Sequence, residues 1–387
     1  MKFLVSNCES TANIYGHTYR LRPFNSSLAD LNDILVTDNG TASELLVRHN
    51  DILAEASFDT SDIDGFPQKL NNLNLIPSGS KVVVLRSGGI GDHVMFMPAL
   101  RALKRLLPHS DIEIWLAIQK DMFTLFKGQR FIDKLFPLPL PMTNLLEADY
   151  YVDFSDSIHE SDFNTQHPAD CYMSSFGLKP CETAEKSISL NLNGSRSRLI
   201  TQLFNVIKEE YKDRPLILMQ WLASVNLRSL PPESLSALTR KNRDFLFISA
   251  HHHTQAKRSA GDITTADMNV IDISCHIRDL SDFITAVNMS DGVISTDSSA
   301  YHVAAALDKP ALAIFGPITS GLRTSYYPKV VSIDAHYKGN TCSSPCYTHK
   351  GVCREVKLMG TPYSPCLLSI SESLIHDKFR ELVRNYL

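Results

Sequence analysis

Short apolar runs alternate along most of this chain with stretches whose apolar residues recur at three- and four-residue spacing. The alternation begins at Lys81. Val82-Val83-Val84-Leu85 is a β-branched run bounded by Ser80 and by Ser87-Gly88-Gly89, and it predicts a buried strand. Leu100, Leu103, Leu106 and Leu107 follow at helical spacing, with Pro98 predicting a kink or a late start. Ile112 to Ile118 and Asp149 to Phe154 predict the next strands. A second series begins near residue 197. Leu199, Leu203, Val206 and Ile207 form a stripe over Arg198–Tyr211. Strands are predicted over Leu216–Gln220, Phe245–Ser249, Val270–Ile273, Gly292–Ser295 and Ala311–Phe315, with helices over Leu280–Met289, Ser299–Leu307 and Ser371–Leu387. Strand–helix–strand order at this spacing predicts parallel sheets covered by helices on both faces.

The first 80 residues read differently. His17 to Pro23 and Asp33 to Asp38 are short mixed segments, Asn39-Gly40 is a turn signal, and Ala42 to Leu53 predicts a short helix. Residues 58–80 are rich in Asp, Asn, Ser, Gly and Pro and read as a linker. Three parts follow: an appended α+β module over 1–78, and two doubly wound α/β domains over 79–190 and 191–387. Two such domains facing one cleft would bind a ligand at the carboxyl ends of their strands.

Composition narrows the function classes. Hydrophobic residues at 43% and charged residues at 21% describe a globular chain. Thirty-eight Lys and Arg against 42 Asp and Glu give a net charge of −4, so no overall field favours a nucleic acid. No apolar run approaches the ~18 residues of a membrane span. The start lacks the apolar stretch of about 7–15 residues that a signal peptide needs. A cytoplasmic protein is expected, with peripheral membrane contact left open.

Four strand ends carry the candidate chemistry. The first is Arg86-Ser-Gly-Gly-Ile-Gly-Asp92-His93, between a strand and a helix. Gly89 and Gly91 let backbone approach a ligand closely, and the helix start offers unpaired N–H groups. The order is neither G-x-G-x-x-G nor a P-loop, which disfavours nicotinamide and NTPase chemistry. Asp92 reads either as a helix cap or as a general base. The second is Thr296-Asp297-Ser298-Ser299, leading into an Ala-rich helix with His302 on its first turn. These residues cap the helix, and their hydroxyls and amides also suit a phosphate. His302 reads as a packed residue or as part of that site. The third is Phe315-Gly-Pro317-Ile-Thr319-Ser320, and the fourth is Ser224-Val-Asn226-Leu-Arg228, where a strand enters a loop. Hydroxyl, amide and cationic groups at these ends suit a diphosphate-bearing ligand.

From about 81 to 370 the chain resembles glycosyltransferase family 9, the ADP-heptose:lipopolysaccharide heptosyltransferases. The resemblance rests on Gly91-Asp92-His93 with Pro98-Ala-Leu-Arg-Ala-Leu103, on Thr296-Asp297-Ser298-Ser299 with His302-Val-Ala-Ala-Ala-Leu-Asp-Lys309-Pro310, and on Phe315-Gly-Pro-Ile-Thr319. It departs from the family pattern at Ser299 and Asp308, where that pattern has Gly. The resemblance implies a GT-B fold and inverting, metal-independent transfer from a nucleotide diphosphate sugar to a hydroxyl of a glycan, lipopolysaccharide core or another acceptor. Residues 79–190 become the acceptor-side domain and 191–387 the nucleotide-sugar domain. Asp92 maps to the base; Asp297, Ser298 and Ser299 map to the donor site. Arg228 stands where the family carries a diphosphate-binding Lys, and an Arg could bind bidentately. No cofactor is implied for catalysis.

Cys342, Cys346, Cys353 and Cys366 crowd into the tail and suit a structural zinc, with free thiols or disulfides as the other readings. His251-His-His253 reads as a loop near the donor base. Two further function classes remain: a silent nucleotide- or glycan-binding module, and a GT-B epimerase or phosphorylase.

Overall fold

A parallel strand that is apolar at every position must be covered on both faces. How the chain meets that demand differs between its two halves. The computed structural model describes all residues except 25–30, 155–161, 177–185, 187, 193–195, 213, 252–268, 349–352, 354 and 357–359. The chain divides into two compact units, Met1–Lys186 and Ser187–Leu387.

The first unit opens with β1 (Lys2–Ser6), the hairpin β2 (Ser10–Ile14) and β3 (His17–Leu21), β4 (Ile34–Thr37), α1 (Asn39–Arg48) and β5 (Leu53–Ala56). It continues with β6 (Gln68–Lys69), β7 (Lys81–Leu85), α2 (Ile90–Leu106), β8 (Glu113–Ile118), β9 (Lys134–Pro137), β10 (Leu140–Pro141) and β11 (Tyr150–Asp153). A five-stranded parallel sheet has the order β6-β11-β7-β8-β9, and an antiparallel sheet has the order β10-β4-β1-β5.

Alternation along β1 and β4 joins the two sheets. Phe3, Val5, Ile34 and Val36 share one buried cluster with Val83, Leu85, Trp115 and Ala117 of the parallel sheet. Leu4 and Leu35 point to the opposite face, where they pack with Ile14, Tyr19 and Leu21 of the hairpin and with Ala42 and Leu45 of α1. One face of the parallel sheet is therefore covered by a second sheet, where the sequence reading expects helices. The first 78 residues share a unit and a core with the strands that follow them.

Three local expectations are also corrected. Asn39-Gly40 opens α1 instead of making a turn, because Asp38 caps the helix through Thr41 N at 3.0 Å. The segment read as a linker supplies β6, which pairs in parallel with β11 at Tyr150↔Gln68. A two-residue strand carries no side-chain period to read. Pro98 sits inside α2, which starts at Ile90, so no late start occurs. Across the helix, Phe96 packs on Phe154 at 4.7 Å and on Tyr172 of the helix Pro168–Ser175 at 5.0 Å.

The second unit carries β12 (Leu216–Gln220), β13 (Leu246–Ser249), β14 (Val270–Asp272), β15 (Gly292–Thr296), β16 (Ala311–Phe315) and β17 (Val330–Asp334). All are parallel, in the order β14-β13-β12-β15-β16-β17. This is the 3-2-1-4-5-6 order of a doubly wound sheet, with its reversal between β12 and β15. The C-terminal helix Glu372–Tyr386 seals the unit: Phe379 is fully buried against Phe245 and Phe247, at 5.2 and 6.0 Å. No helix among the described residues is long and apolar enough to cross a membrane.

Deleting residues 1–78 removes the cover over Val83, Leu85, Trp115 and Ala117. The truncated chain is expected to aggregate or to lose the cooperative unfolding of its first unit. A soluble truncation with an unchanged two-transition melt would contradict the shared core.

Candidate active site

In each unit the candidate residues gather where the strand order reverses. In the first, the reversal lies between β7 and β11, with Leu85 opposite Asp153. The chain leaves β7 through Arg86-Ser87-Gly88-Gly89 and enters α2 at Ile90. Gly88 has φ +143°, and a Cβ there would lie 3.1 Å from Asp92 Oδ2 and 3.3 Å from Arg86 Nη2. Only glycine fits this turn. Gly89 is the cap residue of α2, and its N–H donates to Asp92 Oδ2 at 2.9 Å. Asp92 is half-buried on the first turn of α2, beside Gly91. The capping reading thus describes one carboxylate oxygen of Asp92, folded back onto the turn.

Two neighbours fix this turn. His93 Nδ1 meets the Gly89 carbonyl at 2.9 Å, so the ring donates there while neutral. Burial, helped by the Arg86 charge, holds its pKa at about 4. Arg86 Nη2 donates to Tyr172 Oη at 2.6 Å, with the guanidinium 5.2 Å from that ring's centre. Arg86 Nε is buried without a partner.

In the second unit, Gln220 ends β12 opposite Ser295 of β15. Its Oε1 accepts from Ser298 Oγ at 2.8 Å, Ser299 Oγ at 3.3 Å and Ala300 N at 3.2 Å. The helix start expected to be open to a phosphate is therefore partly closed by a side-chain amide. Asp297 is buried; its Oδ1 accepts from Tyr301 Oη at 3.1 Å. Arg228 Nη1 reaches the Asp297 carbonyl at 3.1 Å and Oδ2 at 3.5 Å, and its Nη2 reaches Ser224 Oγ at 3.0 Å. Among the described residues, neither the buried Arg228 Nε nor the buried Thr296 hydroxyl has a partner. Asn226 is exposed at the start of the short turn Asn226–Arg228.

The structure therefore brings Ser224, Arg228, Asp297, Ser298 and Ser299 together. It does not add His302 to them as an open group. That ring is buried between tyrosines, with Nδ1 2.7 Å from Tyr327 Oη and its centre 4.0 Å from Tyr301, so the packed reading describes it. Gln220 was missed by the sequence reading. Its signal was a polar residue closing an otherwise apolar strand. His251 packs against Trp221 at 4.2 Å, and His252 and His253 lie outside the described residues.

Around the four tail cysteines, Glu355 accepts from Thr341 N at 2.6 Å, and the Cys346 and Tyr347 amides both donate to the Pro317 carbonyl. Burial, then the neighbouring Cys346 and Cys353, push the Cys342 thiol up to about 11. Burial also raises Cys366. Among the described residues no three His, Cys, Asp or Glu side chains are arranged to hold a metal ion.

Two units, each built on a parallel sheet with polar loops at the reversal of strand order, fit the GT-B fold. Solved structures share this fold. A glycosyl transferase family 9 protein from Veillonella parvula superposes with a TM-score of 0.57 at 13% identity, over 80% of this chain and 99% of that one. The ADP-heptose LPS heptosyltransferase II of E. coli gives 0.55 at 13% identity, over 79% and 98%. The iron-containing dodecameric glycosyltransferase TibC of enterotoxigenic E. coli gives 0.54 at 13% identity, over 86% and 81%. In sequence, residues 181–350 match the profile of Glycosyltransferase family 9 (heptosyltransferase), which bears out the resemblance read from the motifs. No curated protein matches the chain.

Two buried neutral imidazoles set an acid sensitivity in both units. Burial lowers His93 and His251 from 6.5 to about 4. As pH falls below 6.5 the unfolded chain binds these protons and the folded chain does not. Stability is therefore lost between pH 6.5 and 4, by about 2 kcal/mol per histidine at about pH 5. Urea midpoints at about pH 7.5 and pH 5 should differ accordingly, and coincident midpoints would contradict the assignment.

Proposed function

We propose that the protein is an inverting glycosyltransferase that moves a sugar from a nucleotide diphosphate sugar to a hydroxyl of a glycan or another acceptor. The observation that carries this reading is the cluster at the reversal between β12 and β15. There Arg228, tied to Asp297 and Ser224, keeps an unpartnered Nε within a segment that matches the heptosyltransferase family.

The chemistry assigns the roles. Asp92 takes the proton of the acceptor hydroxyl as that oxygen attacks the anomeric carbon. Direct displacement with a single base inverts the centre, through a transition state of oxocarbenium character. Negative charge develops on the leaving diphosphate, where Arg228 and the start of the helix Ser299–Ala306 stabilise it. This cationic group takes the part that a metal plays elsewhere, so turnover is expected to survive chelation. A cytoplasmic location is part of this proposal.

Two similar structures carry ADP-heptose in their descriptions, so the ADP series is the first to test. A ligand present at 100 times its Kd adds about 2.7 kcal/mol to stability. A thermal shift is expected with one series among ADP, UDP and GDP compounds and not with the monophosphate CMP series, and it should weaken in Arg228→Ala. Asp92→Asn should keep that shift and lose turnover by roughly 10²–10⁴-fold. Wild-type turnover in folded Asp92→Asn would remove the base assignment. The partly closed start of the helix Ser299–Ala306 favours a second reading, a binding module without turnover. In that case nucleotide would shift the melt and no sugar would leave the donor.

For the tail thiols the proposal is a structural metal outside the reaction. Four soft donors within one segment could bind a cation as thiolates, and one fold relative is described as iron-containing. Elemental analysis of protein purified without a tag is expected to give about one zinc or iron per chain. A ratio near zero would sink it.

A further inference from the structure

The turn that carries Asp92 is tied to the N-terminal sheet by a contact that neither needs for its own local structure. Asp38 ends β4 and caps α1, and it is 2% exposed. Its carboxylate accepts from Thr41 N at 3.0 Å and Thr41 Oγ1 at 3.1 Å, which already satisfies the cap. A third donor arrives from Ser87 Oγ at 2.7 Å, out of the glycine-rich turn. The approach is close: a Cβ on Gly40 would lie 3.2 Å from Asp38 Oδ1 and 3.4 Å from Ser87 Oγ. Arg86, the residue before Ser87, forms no ion pair within contact distance among the described residues. It nevertheless senses both Asp38 and Asp92.

We propose that the N-terminal sheet is a working part of the Asp92 turn: Asp38 positions the turn through Ser87. This rests on the reading of Asp92 as the base. Tethering Ser87 fixes the backbone on one side of Gly88-Gly89, and the Asp92 carboxylate hangs on the Gly89 amide. His93 and Tyr172, which flank the turn, stay neutral at pH 7, the first lowered to about 4 and the second raised to about 12 by burial.

Three variants separate positioning from capping. Asp38→Asn keeps a good helix cap and removes the charge. Ser87→Ala removes only the tether. Thr41→Ala removes only a local cap contact. Hydrogen exchange of the full-length protein is expected to rise roughly tenfold at the Gly88–Gly91 amides in Asp38→Asn and Ser87→Ala, and to stay unchanged in Thr41→Ala. Turnover is probed by ADP release from ADP-heptose in the same proteins. It should fall by about tenfold in the first two variants.

Unchanged exchange in Asp38→Asn and Ser87→Ala overturns the proposal, whether or not this donor is turned over. Equal effects in Thr41→Ala overturn it as well, since capping would then explain them. If Asp92→Asn turns over like wild type, the base reading fails first, and the exchange data alone decide whether the tether positions the turn.

Discussion

The contact on which the first unit depends is the packing of one sheet on another. Phe3, Val5, Ile34 and Val36 meet Val83, Leu85, Trp115 and Ala117. A parallel strand such as β7 cannot leave either face in water, and α2 lies on only one side of the turn it enters. Burying such side chains is worth roughly 1.5–3 kcal/mol each. Residues 1–56 thus contribute to the stability of the very sheet whose loop carries Asp92. Their placement also sets Asp38 beside Ser87 at 2.7 Å. The structural debt and the positioning contact have one cause: the same β4 that covers the sheet ends at the turn.

In the second unit the governing fact is topological. Reversal of strand order between β12 and β15 splays their carboxyl ends and leaves a crevice in which no helix can sit. The loops there carry Gln220, Ser224, Arg228, Asp297 and Ser298, which hydrogen-bond one another. Under the proposed function an anion would compete with Gln220 for the helix start and with Asp297 and Ser224 for Arg228. Such an arrangement lowers the gain from binding but keeps the cationic group in place before the ligand arrives.

Legibility in the sequence followed burial symmetry. Strands buried on both faces, such as Val82–Leu85 and Ala311–Phe315, show as continuous apolar runs. The helix Leu280–Met289 was expected between two such strands and is found there. The glycine-rich turn and the Thr296–Ser299 cap were legible because their chemistry is local. What escaped depends on pairing that no local pattern records. β6 is too short to have a period. Asn39-Gly40 looks like a turn until Asp38 is seen to cap it. Ser87–Asp38 joins residues on different sheets. His302 carried two local readings, and Tyr327, 25 residues away, decided between them.

The cover formed by β1 and β4 also has a temporal side. β1 pairs with β4 and β5 inside the first 56 residues, so this sheet can close early. Its Phe3 and Ile34 face stays wet until β7 and β8 exist, and β4 waits longer still for its partner β10, with Leu140 opposite Val36. During synthesis the sheet is therefore a finished element with an unfinished surface. That is the state in which an apolar face and an unpaired β4 edge invite contact with another chain. The segment proposed to position the Asp92 turn in the native protein is thus one that needs shelter during synthesis.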